Sequence, residues 1–212
     1  MLVRAIVGPT GIGKSAVAAE LASATGAPVL VGDRIQCYTD LPVSSARAES
    51  EDGVHRIWLG DRTVRDGDYP PDDAAETLLA KLRALAEQHR LVVLEGGSIS
   101  VMLRFAEKID ELPFPVSVQV LRIEDRQAYA AGLRARARSM LFRDQFGRSL
   151  LTEFVAAWTT PGRRLFTASI SGLDSILEWC AKHSVPPENV AEMDIPVKLL
   201  DELASMIGER YA

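Results

Sequence analysis

The sequence has only two cysteines, Cys37 and Cys180. Far apart and outside any metal-ligand spacing, they exclude a disulfide framework and a cysteine zinc site. They read as two reduced thiols of a cytoplasmic protein. Apolar runs are short, and none approaches the ~20 residues needed to span a bilayer. The apolar N-terminus leads straight into a glycine loop, so no signal peptide is expected. Positive charge is not in excess: 24 Lys and Arg stand against 29 Asp and Glu, a net charge of −5. That balance argues against a broad nucleic-acid face. His55, His89 and His183 have no acidic or cysteine partner at ligand spacing, and Trp58, Trp158 and Trp179 read as packing residues. Repeats and low-complexity segments are absent, which excludes solenoid folds. Apolar residues make up 47% of the 212, enough to bury the core of one moderate domain, with or without a lid.

One motif dominates what is present. Gly8-Pro9-Thr10-Gly11-Ile12-Gly13-Lys14-Ser15 fits G-x-x-x-x-G-K-[ST] without a mismatch. An apolar run, Leu2–Val7, precedes it, and an alanine-rich helical run follows. Strand, glycine loop and helix are the context of a phosphate-binding P-loop. Its glycines let several N–H groups point at one anion, and the helix adds its free N-terminal donors. In such a loop Lys14 reaches the terminal phosphates and the Ser15 hydroxyl ligates Mg²⁺.

The remaining pattern alternates strand and helix. Strands are expected at 2–7, 29–31, 55–59, 91–94 and 116–121, and helices at 14–25, 72–89 and 100–108. Residues 36–53 read as a loop or short helix, and everything from 124 onward as helical. This predicts an α/β fold, a parallel sheet flanked by helices. The single domain, 1–212, divides into an α/β core of about 1–122 and a helical lid or subdomain of about 123–212.

Ligands of open parallel sheets bind at the carboxyl ends of the strands. Three turns fall there: the P-loop, Gly32-Asp33-Arg34, and Glu95-Gly96-Gly97-Ser98. By position Asp33 is a metal ligand, a ribose ligand or a base, unless it only caps a turn. Glu95 holds Mg²⁺ through water or only marks a tight turn. Arg134, Arg136 and Arg138 alternate on one helix, Arg134 and Arg138 sharing a face and Arg136 nearly opposite, and either one face offers an arginine to a leaving phosphate or all three are a solvated basic surface.

Further segments resemble the adenylate isopentenyltransferases, P-loop prenyltransferases related to tRNA dimethylallyltransferases. Asp33-Arg34-Ile35-Gln36-Cys37 is similar to their D-R-x-Q-C segment, and Pro9-Thr10 to the pair in their P-loop. Ser45-Ala46-Arg47 resembles their S-G-R loop, and Glu95 through Ser100 their E-G-G-S-I-S turn. Ala135-Arg136 with Met140-Leu141, then Gly147, Glu153 and Trp158, follow in the family's order.

The resemblance implies transfer of a dimethylallyl group from dimethylallyl diphosphate to N6 of AMP (or ADP or ATP), as in cytokinin biosynthesis. It implies that Gly8, Pro9, Gly11, Ile12, Gly13, Lys14 and Ser15 hold the donor diphosphate, with Mg²⁺ on Ser15. It makes Asp33 the base, and Thr10, Lys14 and Arg136 the groups that stabilise the leaving diphosphate. Asp33, Ser45, Arg47, Gly97 and Ser98 would line the nucleotide. Ser171 stands where relatives often carry an acidic residue, which favours a plain over a hydroxylated donor. Beyond Gly172 the resemblance ends. A small-molecule kinase or other P-loop nucleotide-binding protein is the competing reading, as is a tRNA dimethylallyltransferase, which the acidic balance disfavours. Small-molecule partners are expected, with no membrane.

Overall fold

A computed structural model describes residues 1–47, 53–144 and 146–212. The end of the expected 36–53 loop, residues 48–52, lies outside the described residues. The chain forms two compact units, Met1–Cys37 with Ala48–Asp61 and Tyr69–Arg122, and Tyr38–Arg47 with Arg62–Asp68 and Ile123–Ala212.

The first unit contains β1 (Leu2–Val7), α1 (Lys14–Thr25), β2 (Val29–Gly32), β3 (Arg56–Trp58), α3 (Pro71–Leu85), β4 (Leu91–Gly96), α4 (Ile99–Glu107) and β5 (Val116–Val120). The second contains α2 (Pro42–Ser45), α5 (Arg126–Leu141), α6 (Leu150–Thr159), α7 (Arg164–Ser169), α8 (Leu173–Lys182) and α9 (Val197–Tyr211). The strands form one parallel sheet in the order β3-β2-β4-β1-β5.

Central β4 is buried at Val92, Val93, Leu94 and Glu95, which is why its sequence reads as a continuous apolar run. Alanines 18 and 22 bring α1 onto Ile6, Val29, Val31 and Val93. Proline opens α3 at Pro71, with Asp72 and Asp73 favourably placed in its first turn.

In the second unit Asp125 caps α5, accepting the N–H groups of Gln127 (2.8 Å) and Ala128 (3.1 Å). Arg138 of α5 pairs with Asp201 of α9 at 2.6 Å. Trp179 is 1% exposed, and His183 packs on it with ring centroids 4.6 Å apart while facing Glu202. His183 is thus a satisfied core-edge histidine. Cys37 and Cys180 are free, buried thiols, and burial pushes the Cys180 thiol up to about 11. Among the described residues no helix is long and apolar enough to cross a membrane.

Candidate functional site

Sheet register brings the predicted turns of the first unit together. Ile6 and Val31 both pair with Glu95, and Gly32 pairs with Gly96. Asp33 and Gly97, each one residue further on, therefore emerge side by side. A Cβ on Gly97 would fall on the Asp33 carboxylate, so glycine there is a condition of Asp33 keeping its place. The Ser98 N–H donates to the Gly32 carbonyl at 3.4 Å and ties the two turns.

The loop after β1 has the shape the motif demands. Gly13 sits at φ 97° as the N-cap of α1, a left-handed position, and brings no side chain to cap the helix. A helix start with no capping side chain is the arrangement that favours an anion at its N-terminus. The Lys14 ammonium donates to the Gly8 carbonyl (2.9 Å) and the Pro9 carbonyl (2.8 Å), which folds it over the loop. Thr10, Gly11 and Ser15 are exposed.

Two carboxylates accompany the loop. Asp33 Oδ1 accepts the Ile35 N–H at 2.9 Å and Oδ2 accepts from the Gln36 amide at 3.5 Å. Asp33 therefore caps its own turn, which is one of the two readings its position allowed. Burial raises its pKa, more than the bonds from Ile35 and Gln36 and the Lys14 charge lower it. Glu95 is 4% exposed, and the Ser15 hydroxyl donates to its Oε1. Burial raises the Glu95 pKa, against the Ser15 bond and the charges of Arg56 and Lys14, while the Asp33 charge adds to the rise. Position alone left Glu95 between a metal role and a turn. Only the register shows it gripping the P-loop serine. A hydroxyl and a carboxylate together are the hard oxygen donors that suit Mg²⁺.

The remaining predicted residues belong to the second unit. Arg136 is half-buried on α5, whereas Arg134 and Arg138 are exposed. The Arg136 charge acts on Tyr211, whose hydroxyl burial pushes up to about 12. Ser45 is 8% exposed, and its hydroxyl is used within its own turn: it donates to the Leu41 carbonyl (2.7 Å) and accepts the Arg47 N–H (3.2 Å). Ser45 shapes the loop that presents Arg47. Glu153 is 6% exposed, and burial raises its pKa against bonds from Ser44 and Val43. In the sequence it was legible only as one position of a spacing.

Comparison with known proteins shows the family and the fold. A family model described as isopentenyl transferase matches residues 1–212. An adenylate dimethylallyltransferase of Rhodococcoides fascians is 51% identical over 211 residues, covering 99% of this chain and 83% of the relative. One from Allorhizobium ampelinum is 32% identical, covering 97% and 87%. Among solved structures, a full-length tRNA isopentenylpyrophosphate transferase of Bacillus halodurans superposes with a TM-score of 0.69 at 15% identity, covering 99% of this chain and 84% of the other. A eukaryotic dimethylallyltransferase acting on tRNA gives 0.65 at 13% identity, covering 99% and 68%. These two likenesses establish the fold.

Proposed function

We propose that this chain, which belongs to the isopentenyl transferase family, transfers a dimethylallyl group from dimethylallyl diphosphate to the N6 amine of AMP, releasing diphosphate. The observation that carries this reading is the packing of Asp33 on Gly97 at the strand edge that bears the P-loop. One edge thereby holds both halves of an alkyl transfer, an anion cradle for the leaving group and a carboxylate base for the acceptor.

The P-loop N–H groups and Lys14 hold the donor diphosphate. As the allylic C1–O bond breaks, charge gathers on the diphosphate, and Lys14 and the loop donors stabilise it; the family resemblance alone assigns the same role to Arg136. Thr10 donates a hydrogen bond to the bridging oxygen. The N6 lone pair, weakened by delocalisation into the ring, forms the new bond to C1 while one N6 proton passes to Asp33. Burial makes Asp33 a stronger base than an ordinary aspartate. Gly97 and Ser98 flank the adenine side; the family resemblance alone assigns the nucleotide phosphate to Ser45 and Arg47, and a guanidinium is well shaped for it. Mg²⁺ would be held by the Ser15 hydroxyl, with Glu95 behind it, and when bound supplies positive charge to the diphosphate.

Ser171, in place of an acidic side chain, favours the plain dimethylallyl donor, and the product belongs to the chemistry of cytokinin synthesis. The free thiols support a cytoplasmic setting.

The deciding experiment incubates the protein with AMP, dimethylallyl diphosphate and Mg²⁺ and weighs the product. A nucleotide heavier by one dimethylallyl group, abolished by EDTA, is expected. No adduct from folded protein, with ATP turnover on a metabolite panel instead, would establish a kinase.

A further inference from the structure

Glu153 lies in the first turn of α6, but its carboxylate serves another element. Oε1 accepts the Val43 N–H at 2.6 Å, and Oε2 accepts the Ser44 N–H at 2.7 Å and the Ser44 hydroxyl at 2.6 Å. These donors open α2. The residue before α2, Leu41, has no side-chain acceptor to cap it, and Pro42 has no N–H to satisfy. A carboxylate 110 residues away in the sequence therefore supplies the missing cap. Burying that charge is costly unless it is well bonded, and all three compensating bonds come from this one turn.

The turn leads directly to Arg47. The Ser45 hydroxyl bridges the Leu41 carbonyl and the Arg47 N–H, and Ala46 is held at φ 55°. A left-handed alanine is strained and persists only where its surroundings over-determine it. Glu153 is itself fixed in place. Gly147, at φ 74°, donates its N–H to the Asp144 carbonyl (2.9 Å), and Ser149 with Thr152 forms the capping box that starts α6. The spacing from Gly147 to Glu153 is thus that of one tight turn followed by one capped helical turn.

We infer that Glu153 is a positioning residue for nucleotide binding: by fastening the start of α2 it sets the backbone from which Arg47 meets the phosphate of the acceptor. The inference rests on the proposed role of Arg47.

Both are tested by steady-state kinetics on the full chain with Glu153→Gln, Arg47→Ala and the double variant. Glutamine keeps the volume but turns an amide N–H₂ toward a donor. Glu153→Gln is expected to raise the KM for AMP about tenfold, the loss of one charge-assisted bond, with the KM for dimethylallyl diphosphate unchanged. Arg47→Ala should give a similar rise, and the double variant should be no worse than Arg47→Ala alone. Additive effects would mean that Glu153 does not act through Arg47 and would overturn the inference. An unchanged KM for AMP in Arg47→Ala would remove the role of Arg47, and the inference with it.

Hydrogen exchange supplies a readout independent of turnover. The Val43 and Ser44 amides should exchange faster in Glu153→Gln, and wild-type rates would overturn the inference even if AMP proves not to be the acceptor. If Glu153→Gln does not fold, Ser44→Ala removes one of the three donors and leaves the charge bonded. It should raise the KM for AMP by about threefold, and a wild-type KM there would count against the inference.

Discussion

The Asp33 carboxylate accepts the Ile35 N–H through Oδ1, and asparagine at this position would keep that bond. Asp33→Asn therefore separates chemistry from architecture. Prenyl transfer should fall by at least about 10²-fold, the usual share of a positioned base, while diphosphate binding stays near wild type. Its effect on stability has a definite sign. Burial raises the folded pKa of Asp33 above its unfolded value, so the native state binds the proton more tightly and loses stability as pH rises through the folded pKa. The neutral variant escapes that loss. Its thermal midpoint should exceed that of wild type at neutral pH, and the difference should vanish below the unfolded pKa. A lower midpoint at neutral pH would mean that the charge stabilises the fold. With Asp33 as the proposed base, the same shift should place the acid limb of kcat/KM above the ordinary aspartate range, which a pH–rate profile checks. Gly97→Ala probes the same carboxylate from outside, because its methyl would occupy the space of Asp33. Turnover should fall with Asp33 displaced, whereas donor binding to the P-loop should be spared, as a fluorescent diphosphate analogue would report.

At the scale of elements, β1 and α1 occupy the residues that their sequence patterns predict, Leu2–Val7 and Lys14–Thr25, because apolar runs and a glycine loop are short-range signals. β4 runs two residues beyond its expected end at Leu94. Glu95 and Gly96 remain paired to Val31 and Gly32, and no polarity pattern reveals a partner strand. The 36–53 region was legible only as a loop or short helix, and its described part contains α2. The cap of α5 tests whether the helix bearing Arg136 depends on its first turn. Asp125→Ala removes an acceptor shared by two N–H groups and should cost about 1 kcal/mol in urea unfolding. No change in the midpoint would show that α5 is held by packing alone.

For the molecule as a whole, charge discriminates between readings that the fold leaves level. The two solved structures compared above are named for tRNA, but at 15% and 13% identity they inform the architecture only. A net charge of −5 does not favour displacing counterions from a polyanion. Filter binding should show weak tRNA association at 150 mM salt, about the non-specific level or below. Tight binding that falls steeply with salt would instead point to the tRNA reaction. Asp33, Glu95 and Glu153 are all raised by burial, so together they make the whole chain less stable as pH rises through their folded pKa values.

By itself the sequence determined the glycine loop between β1 and α1, the alternation that makes a parallel sheet, and the lack of a disulfide framework. Each is written in neighbouring residues, where backbone freedom, periodicity and composition act over a few positions. Only the tertiary structure decided that Glu95 grips Ser15, that Gly97 makes room for Asp33, and that Glu153 caps α2. Those relations join residues 80, 64 and 110 positions apart (95 − 15, 97 − 33, 153 − 43). Sheet register and the need to bond every buried polar group create them, and neither is visible until the chain has folded back on itself.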